Sequence, residues 1–183
     1  TKDAPPISYT AVLPPEYHAG RNYPMIVALR GQGHTTQQEA EWWAGTAEKQ
    51  GQAQRHGYIV IAPQYAGEEA SSHTYDANSH HIVLEAIYDA CRRFQVDSDH
   101  VFLSGHSMGA DAAFDIGMSH PDLFAGVIPI CGVIRNNGMH DWSNAKQRPL
   151  YVVGGQGERN KTEENAPTRR RRRRDKHEGM RAR

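Results

Sequence analysis

The sequence predicts a single α/β domain, built on a mostly parallel sheet with helices on both faces. Uninterrupted apolar runs at 25–29 and 58–62 are typical of strands buried on both sides in a parallel sheet. Helical patterns lie between such runs, and in residues 76–94 apolar side chains recur every three or four positions. Strands that alternate with helices along a chain of 183 residues indicate βαβ units that share one core.

Six segments are predicted as strands. The first alternates between apolar and polar residues and stops at Pro14-Pro15, which favours a strand followed by a turn. Asp97-Ser98-Asp99 is predicted as a turn before the fourth strand. In chain order, the predicted strands are residues 7–13, 25–29, 58–62, 101–103, 125–130 and 150–153.

Three helices are predicted between these strands. The first begins at a cap formed by Thr35 or Thr36, and Glu39 lies three residues after Thr36 as in a capping box. The third is closed before Pro121, since proline disfavours helical backbone in the residue before it. The predicted helices span about 35–56, 76–94 and 108–119.

Charge is distributed unevenly along the chain. Residues 169–183 hold nine Lys or Arg and two Asp or Glu, whereas the rest of the chain holds 12 basic and 19 acidic residues. An acidic body is not typical of a nucleic-acid-binding surface, so nucleic acid is not an expected partner. The six consecutive arginines, Arg169–Arg174, are expected to repel one another in a disordered tail. No stretch reaches the roughly 18 apolar residues of a membrane helix, so no membrane partner is expected.

The sequence predicts no cofactor and no metal. Gly31-Gln32-Gly33 lacks the third glycine of a dinucleotide fingerprint. Cys91 and Cys131 belong to no CxxC or mixed His/Cys cluster, and both are predicted to be small buried hydrophobic residues. His80, His81 and His140 have no spacing that assigns them a role.

Gly105-His106-Ser107-Met108-Gly109 matches the pattern G-x-S-x-G between a predicted strand and a predicted helix. The chain must reverse direction there within very few residues, which forces the serine into a strained conformation at the apex of the turn. Glycine at 105 and 109 removes side chains that would collide across the turn. Ser107 is therefore the candidate nucleophile, at a helix N-terminus that favours developing negative charge. His106 is predicted to pack or hydrogen-bond away from the substrate.

A serine nucleophile needs backbone donors for the oxyanion that forms on the substrate. The amide that follows the nucleophile, on Met108, is one candidate donor. The second is expected in the glycine-rich turn after the first buried strand, most plausibly on Gln32.

From Tyr9 to about Gly155 the chain resembles the α/β-hydrolase superfamily. Within it the chain is similar to the poly(3-hydroxybutyrate) depolymerase and feruloyl-esterase-like branch, also described as prolyl-oligopeptidase-like. The resemblance implies hydrolysis of a carboxylic ester, or as a lesser alternative a peptide, through an acyl-enzyme on Ser107. The sequence departs from the family at Arg30, where a histidine usually precedes the glycine of the oxyanion loop. The resemblance rests on residues 13–17, 24–33, 97–109 and 120–132, of which 97–109 is the specific match.

The resemblance also implies a triad in the order Ser, acid, His. Glu158, in Gly155-Gln156-Gly157-Glu158, has the expected spacing for the acid, and Asp141 is an alternative one connection earlier. His177 is the only histidine after Glu158 and is the candidate base. It lies beyond the arginine run, where no predicted strand or helix would hold it near Ser107.

The composition changes abruptly near Pro167, where the last strand and helix of the superfamily would be expected. We therefore expect a truncated or frame-shifted member of the family. Its incomplete catalytic domain would span residues 1–160, followed by an Arg-rich tail over 161–183. Without the last strand, residues 150–153 would form an open sheet edge suited to self-association.

Three functions are compatible with the sequence. The leading one is a serine hydrolase acting on a small-molecule or polymer ester through Ser107. The second is a catalytically inactive α/β-hydrolase fragment or binding module that lacks the triad base, and a histidine able to reach Ser107 would separate the two. The third is nucleic-acid binding through Arg169–Arg174, which the lack of interleaved aromatic residues disfavours.

Overall fold

The computed structural model of the chain describes residues 6–132 and 149–154. The strands are β1 (Tyr9–Val12), β2 (Tyr23–Leu29), β3 (Ile59–Pro63), β4 (Val96–His106) and β5 (Gly126–Ile130). They form one sheet in the order β1-β3-β2-β4-β5. Only β1 pairs antiparallel, and the β2–β3, β2–β4 and β4–β5 pairs are parallel. The predicted α/β fold with a mostly parallel sheet is confirmed.

Helices cover both faces of this sheet. They are α1 (Thr36–Ala44), α2 (Gln52–Arg55), α3 (Ala77–Arg93) and α4 (Met108–Ser119), and a short 3₁₀ turn, Pro121–Leu123, follows α4. Helices α1 and α2 share a buried apolar cluster with one face of the sheet, whereas α3 and α4 share the larger cluster on the other face. The two clusters form the core.

Strand β2 shows why the central strands read as uninterrupted apolar runs. Successive side chains point to opposite faces, so Met25 and Val27 join the α3–α4 cluster while Ile26 and Ala28 join the α1–α2 cluster. Neither face meets water, and these side chains are at most 5% exposed. Apolar residues are therefore required at every position.

The prediction of one helix over 35–56 is wrong. Helix α1 ends at Ala44, where Gly45 adopts a φ of 86° and the chain loops out before it returns to α2. A side chain at Gly45 would place its Cβ 2.2 Å from the amide nitrogen of Gly51, so the neck of this loop tolerates only glycine. Thr35 is the cap, with Gln38 completing the capping box, so the box predicted for Thr36 is also wrong.

The turn predicted at Asp97-Ser98-Asp99 lies inside β4. The register of β4 against β2 jumps from Tyr23↔Val96 to Met25↔Val101, so β4 carries extra residues in a bulge. The Asp97 carboxylate accepts a hydrogen bond from the Asp99 amide at 3.1 Å, as turn chemistry predicts. The local signal for a turn was therefore correct, but strand pairing continues around it.

Residues 149–153 run beside β5. Parallel bridges join Val127 to Leu150 and Ile130 to Val153, so this segment lies at the expected edge of the sheet. It pairs through these isolated bridges and does not form the continuous strand that was predicted. Self-association through that edge remains a prediction. Cys131 is partly buried, but Cys91 is exposed on α3, so its predicted burial is wrong. Within the described ranges, no helix is both long and apolar enough to cross a bilayer.

Candidate active site

The carboxyl ends of the parallel strands meet at one edge of the sheet, which is where ligands bind in open α/β folds. Arg30 follows β2, Gln64 follows β3, Ser107 follows β4 and Cys131 follows β5. The sequence-predicted nucleophile and oxyanion loop therefore lie on adjacent strands, because β2 pairs directly with β4.

Ser107 occupies the strained turn that the motif predicts. Its φ of 52° and ψ of −110° lie in a region that side chains other than glycine rarely adopt. The residue is exposed, and its amide donates to the carbonyl of Ile130 at 2.9 Å, which ties the turn to β5. The strain is held by the surrounding strands and lifts the Ser107 hydroxyl out of the sheet.

The two flanking glycines are required by close backbone contacts. A Cβ at Gly105 would lie 2.1 Å from the carbonyl oxygen of Gly109, and a Cβ at Gly109 would lie 2.0 Å from that of Leu29. Both separations are far inside van der Waals contact. The strand-to-helix turn can therefore close only when both positions lack a side chain.

The oxyanion loop approaches the nucleophile closely. A Cβ built at Gly31 would lie 3.5 Å from the Cβ of Ser107 and 3.0 Å from the carbonyl oxygen of His106. Gln32, the next residue, is exposed at this edge, whereas the Met108 side chain is buried. As the first amide of α4, the Met108 N–H has no acceptor within its own helix. The glycine loop after β2 and the first residue of α4 therefore lie beside the serine, and the donor roles of Gln32 and Met108 remain predictions.

Arg30 is buried, with 1% of its surface exposed, and it anchors this loop. Its guanidinium donates to the carbonyl of Gly31 at 3.1 Å, to that of Ala66 at 3.1 Å and to that of Gly67. The hydroxyl of Tyr65 in turn donates to the Arg30 carbonyl at 3.0 Å. An arginine at the position where the family usually has histidine thus clamps the oxyanion loop to the loop after β3.

His106 points away from the hydroxyl of Ser107, as the sequence predicts. Its Nδ1 lies 2.6 Å from a carboxylate oxygen of Glu39, which is 1% exposed. The ring of Trp42 packs edge-on against the imidazole, with centroids 4.2 Å apart. Glu39, expected to cap α1, instead fixes the residue beside the nucleophile. No local sequence pattern signals this contact, because the two residues are 67 positions apart.

A cavity of about 460 Å³ opens beside the oxyanion loop. Gln32 and Thr35 line one side, and Gln64, Glu68 and Glu69 from the loop after β3 line the other. Its walls are therefore mostly polar. A substrate that placed its carbonyl oxygen near Gln32 could extend into this space.

The remaining predicted triad residues lie outside the described residues. Glu158, His177 and the alternative acid Asp141 all fall within 133–148 or 155–183, as do the boundary at 160 and the arginine run. Among residues 6–132 and 149–154, no side chain hydrogen-bonds the hydroxyl of Ser107.

A second group of ionisable side chains lies on the α3–α4 side of the sheet. His73 and His80 place their Nε2 atoms 2.6 Å and 3.0 Å from the same oxygen of Asp115. His120 contacts His80, and burial lowers the pKa of His120, with a smaller lowering from His80. The three ligand atoms of His73, His80 and Asp115 lie within 4.8 Å of one another, close enough to share a metal ion. Sequence spacing did not reveal this group.

The sheet order, the strained serine turn and the adjacent glycine loop define an α/β-hydrolase. The sequence model of the Esterase family matches residues 6–178. Because this match spans most of the chain, the protein belongs to the Esterase family. No curated protein sequence matches it significantly.

Solved structures of hydrolases share the fold. A thermostable esterase superposes with a TM-score of 0.62 at 23% identity, covering 80% of this chain and 42% of its own. S-formylglutathione hydrolase (FrmB) from Staphylococcus aureus superposes with a TM-score of 0.56 at 16% identity, covering 83% of this chain and 81% of its own. A ferulic acid esterase superposes with a TM-score of 0.57 at 20% identity, covering 71% of this chain and 56% of its own. This chain thus spans less than half of the thermostable esterase.

Proposed function

We propose that the protein hydrolyses carboxylic esters through an acyl-enzyme on Ser107. The observation that carries the proposal is the backbone of Ser107, with φ 52° and ψ −110° at the apex of a strand-to-helix turn. Such strain persists only where surrounding contacts enforce it, and it is concentrated at functional sites. Here the enforcing contacts present an exposed serine next to the glycine loop that follows β2, which supports the proposal.

The chemistry follows the acyl-transfer pattern. The Ser107 oxygen attacks the ester carbonyl while a general base takes its proton, and the carbonyl oxygen becomes an oxyanion facing the Met108 and Gln32 amides. Collapse of this intermediate breaks the bond to the alcohol, which leaves with the proton held by the base. Water then attacks the acyl-serine in the same manner, releasing the acid and restoring the hydroxyl.

The base and its orienting acid come from outside the described residues. We assign His177 as base and Glu158 as acid, because they follow Ser107 in the order that this superfamily uses. In support, no histidine of the described segments hydrogen-bonds the serine, and the nearest in sequence, His106, is bound to Glu39. Asp141 is the alternative acid.

The substrate is assigned only by class. Relatives of the same fold include proteins described as a ferulic acid esterase and an acetyl xylan esterase. The polar walls of the cavity near Gln32 suit an ester whose acyl or alcohol part can form hydrogen bonds. A small-molecule or polymer ester of this kind is the proposed substrate.

Hydrolysis of p-nitrophenyl acetate by the full chain tests the proposal. Ser107→Ala and His177→Ala should each reduce kcat by roughly 10⁶-fold, and Glu158→Gln by roughly 10⁴-fold, limited by the background rate. Ser119→Ala is the matched control, since this exposed serine lies at the opposite end of α4. If wild-type protein is folded but no faster than Ser107→Ala, the proposal fails and the chain is a non-catalytic family member.

A further inference from the structure

The group formed by His73, His80 and Asp115, here called the HHD cluster, is assembled from three separate elements. His73 lies in the loop after β3, His80 in the first turns of α3 and Asp115 on α4. Both imidazoles direct Nε2 at one carboxylate oxygen, at 2.6 Å and 3.0 Å. Three Lewis-basic atoms thus converge on one point in space.

Hydrogen bonding alone does not account for the burial of His73. Its side chain is 0% exposed, and that of Asp115 is 5% exposed. The second ring nitrogen of His73, Nδ1, is buried without a partner in the described part of the chain. Whichever nitrogen carries the proton, one buried polar atom stays unsatisfied, which costs stability. An ion bound at Nε2 would give a further reason to bury this ring; Nδ1 would then carry the proton, still without a partner in the described part of the chain.

The donor set and the distances suit a divalent transition metal. Two imidazole nitrogens and a carboxylate oxygen are ligands that Zn²⁺ accepts, leaving a fourth position for water. Around a tetrahedral Zn²⁺ at about 2.1 Å, such atoms lie about 3.4 Å apart. The observed separations of 2.6 Å and 3.0 Å require movements of less than about an ångström to admit the ion.

His120 provides the outer support that metal-bound histidines need. Its Nε2 lies 3.0 Å from Nδ1 of His80, the nitrogen that would face away from the ion. A hydrogen bond at that nitrogen fixes the ring orientation and the tautomer of a metal ligand. His80 would then offer Nε2 to the metal and donate from Nδ1 to His120.

The HHD cluster is distinct from the catalytic serine. Asp115 lies eight residues after Ser107 on the same helix, about 12 Å further along its axis. The loop that carries His73 also carries Glu68 and Glu69, which line the cavity beside Gln32. An ion held by the cluster would therefore fasten this wall of the cavity to α3 and α4.

We propose that His73, His80 and Asp115 bind one divalent transition-metal ion, with Zn²⁺ as the best match, and that the ion fastens the loop after β3. Neutral imidazoles and a carboxylate favour such ions over Mg²⁺, which prefers oxygen ligands alone. The site is structural and adds no step to ester hydrolysis.

Metal titration of the full, tag-free chain tests this site without any assay of activity. After treatment with a chelator, wild-type protein should bind one Zn²⁺ per chain by calorimetry, and Co²⁺ should give the visible absorption of a tetrahedral complex. His80→Gln should weaken binding by more than about 100-fold, and His120→Gln by about 10–100-fold. Saturating Zn²⁺ should raise the Tm of wild type but not that of His80→Gln.

His100→Gln is the matched control. His100 forms an exposed pair with Asp97 at 2.8 Å, so it resembles half of the HHD cluster without its burial or second histidine. Its substitution should leave Zn²⁺ affinity unchanged. Absence of one-to-one binding by wild type, or equal binding by His80→Gln, His120→Gln and His100→Gln, would overturn the proposal.

Discussion

The two walls of the candidate active site are built in different ways. The nucleophile turn uses five consecutive residues, 105–109, and closes through backbone contacts that only glycine allows. The opposite wall is held by side chains that reach far along the sequence, such as Arg30 to the carbonyls of Ala66 and Gly67. One wall depends on the absence of side chains and the other on their hydrogen bonds. Substitutions in the nucleophile turn should therefore destabilise the protein by steric overlap. Substitutions in the wall held by Arg30 should destabilise it by removing hydrogen-bond partners.

The largest loss of stability is expected from a substitution in the nucleophile turn, residues 105–109. Gly109→Ala would force a Cβ to within 2.0 Å of the Leu29 carbonyl, so α4 must shift away from β2. We expect a loss of about 3 kcal/mol or more in the free energy of unfolding, measured by urea denaturation. Gly67→Ala is the control, because its Cβ would meet no atom within 4 Å. A Gly109→Ala protein as stable as Gly67→Ala would refute the steric account.

An intermediate loss of stability is expected from substitution of Arg30. Arg30→Met keeps the unbranched aliphatic part of the side chain but removes the guanidinium hydrogen bonds to the carbonyls of Gly31, Ala66 and Gly67. These carbonyls would keep only their hydrogen bonds from His34, Gln64 and Ala70. Unfolding free energy should fall by about 2–3 kcal/mol, with Arg30→Lys in between because an ammonium cannot reproduce the guanidinium fork. Arg92→Met, at a side chain 68% exposed, should change little. Equal stability of Arg30→Met and Arg92→Met would show that the clamp does not hold this wall.

The smallest effect is expected at Tyr65, whose hydroxyl supports the same wall through the Arg30 carbonyl. Tyr65→Phe should cost about 1 kcal/mol at neutral pH. Burial raises the pKa of Tyr65 above its usual 10.0, with a smaller opposing effect from Arg30. Its neutral form is thus favoured in the folded state, so its contribution is complete below pH 10 and declines as the pH rises further.

Measurements of the free energy of unfolding above and below pH 10 would show whether the contribution of Tyr65 to stability declines as the pH rises. Wild-type protein should lose part of its advantage over Tyr65→Phe as the pH rises. An advantage over Tyr65→Phe that grows with pH would contradict the assignment.

The same contrast explains how much the sequence could predict. The sheet, its buried strands and the serine turn were predictable, because apolar runs and G-x-S-x-G record constraints between neighbouring residues. The break between α1 and α2 was not, because the contact of Gly45 with Gly51 leaves no mark on helical periodicity. Thr36 has Glu39 three residues later, which is the pattern of a capping box, yet the Glu39 carboxylate hydrogen-bonds His106.

Side-chain contacts between residues far apart in the sequence could not be predicted. His73 and Asp115 are 42 residues apart and meet only because α3 and α4 pack on one face of the sheet. The sequence marks Arg30 only as a departure from the family, because its acceptors are backbone carbonyls that no sequence pattern identifies. At both places the interacting groups are brought together only by the fold.

The central claim is that Ser107 is an activated nucleophile, and a fluorophosphonate probe tests it most directly. Wild-type protein and Ser107→Ala would be treated in parallel, and the adduct located by mass spectrometry of the intact chain and its peptides. We predict one adduct per chain, on the peptide containing Ser107, and none on Ser107→Ala. Absence of labelling in folded wild-type protein, or an adduct that persists in Ser107→Ala, would contradict the account.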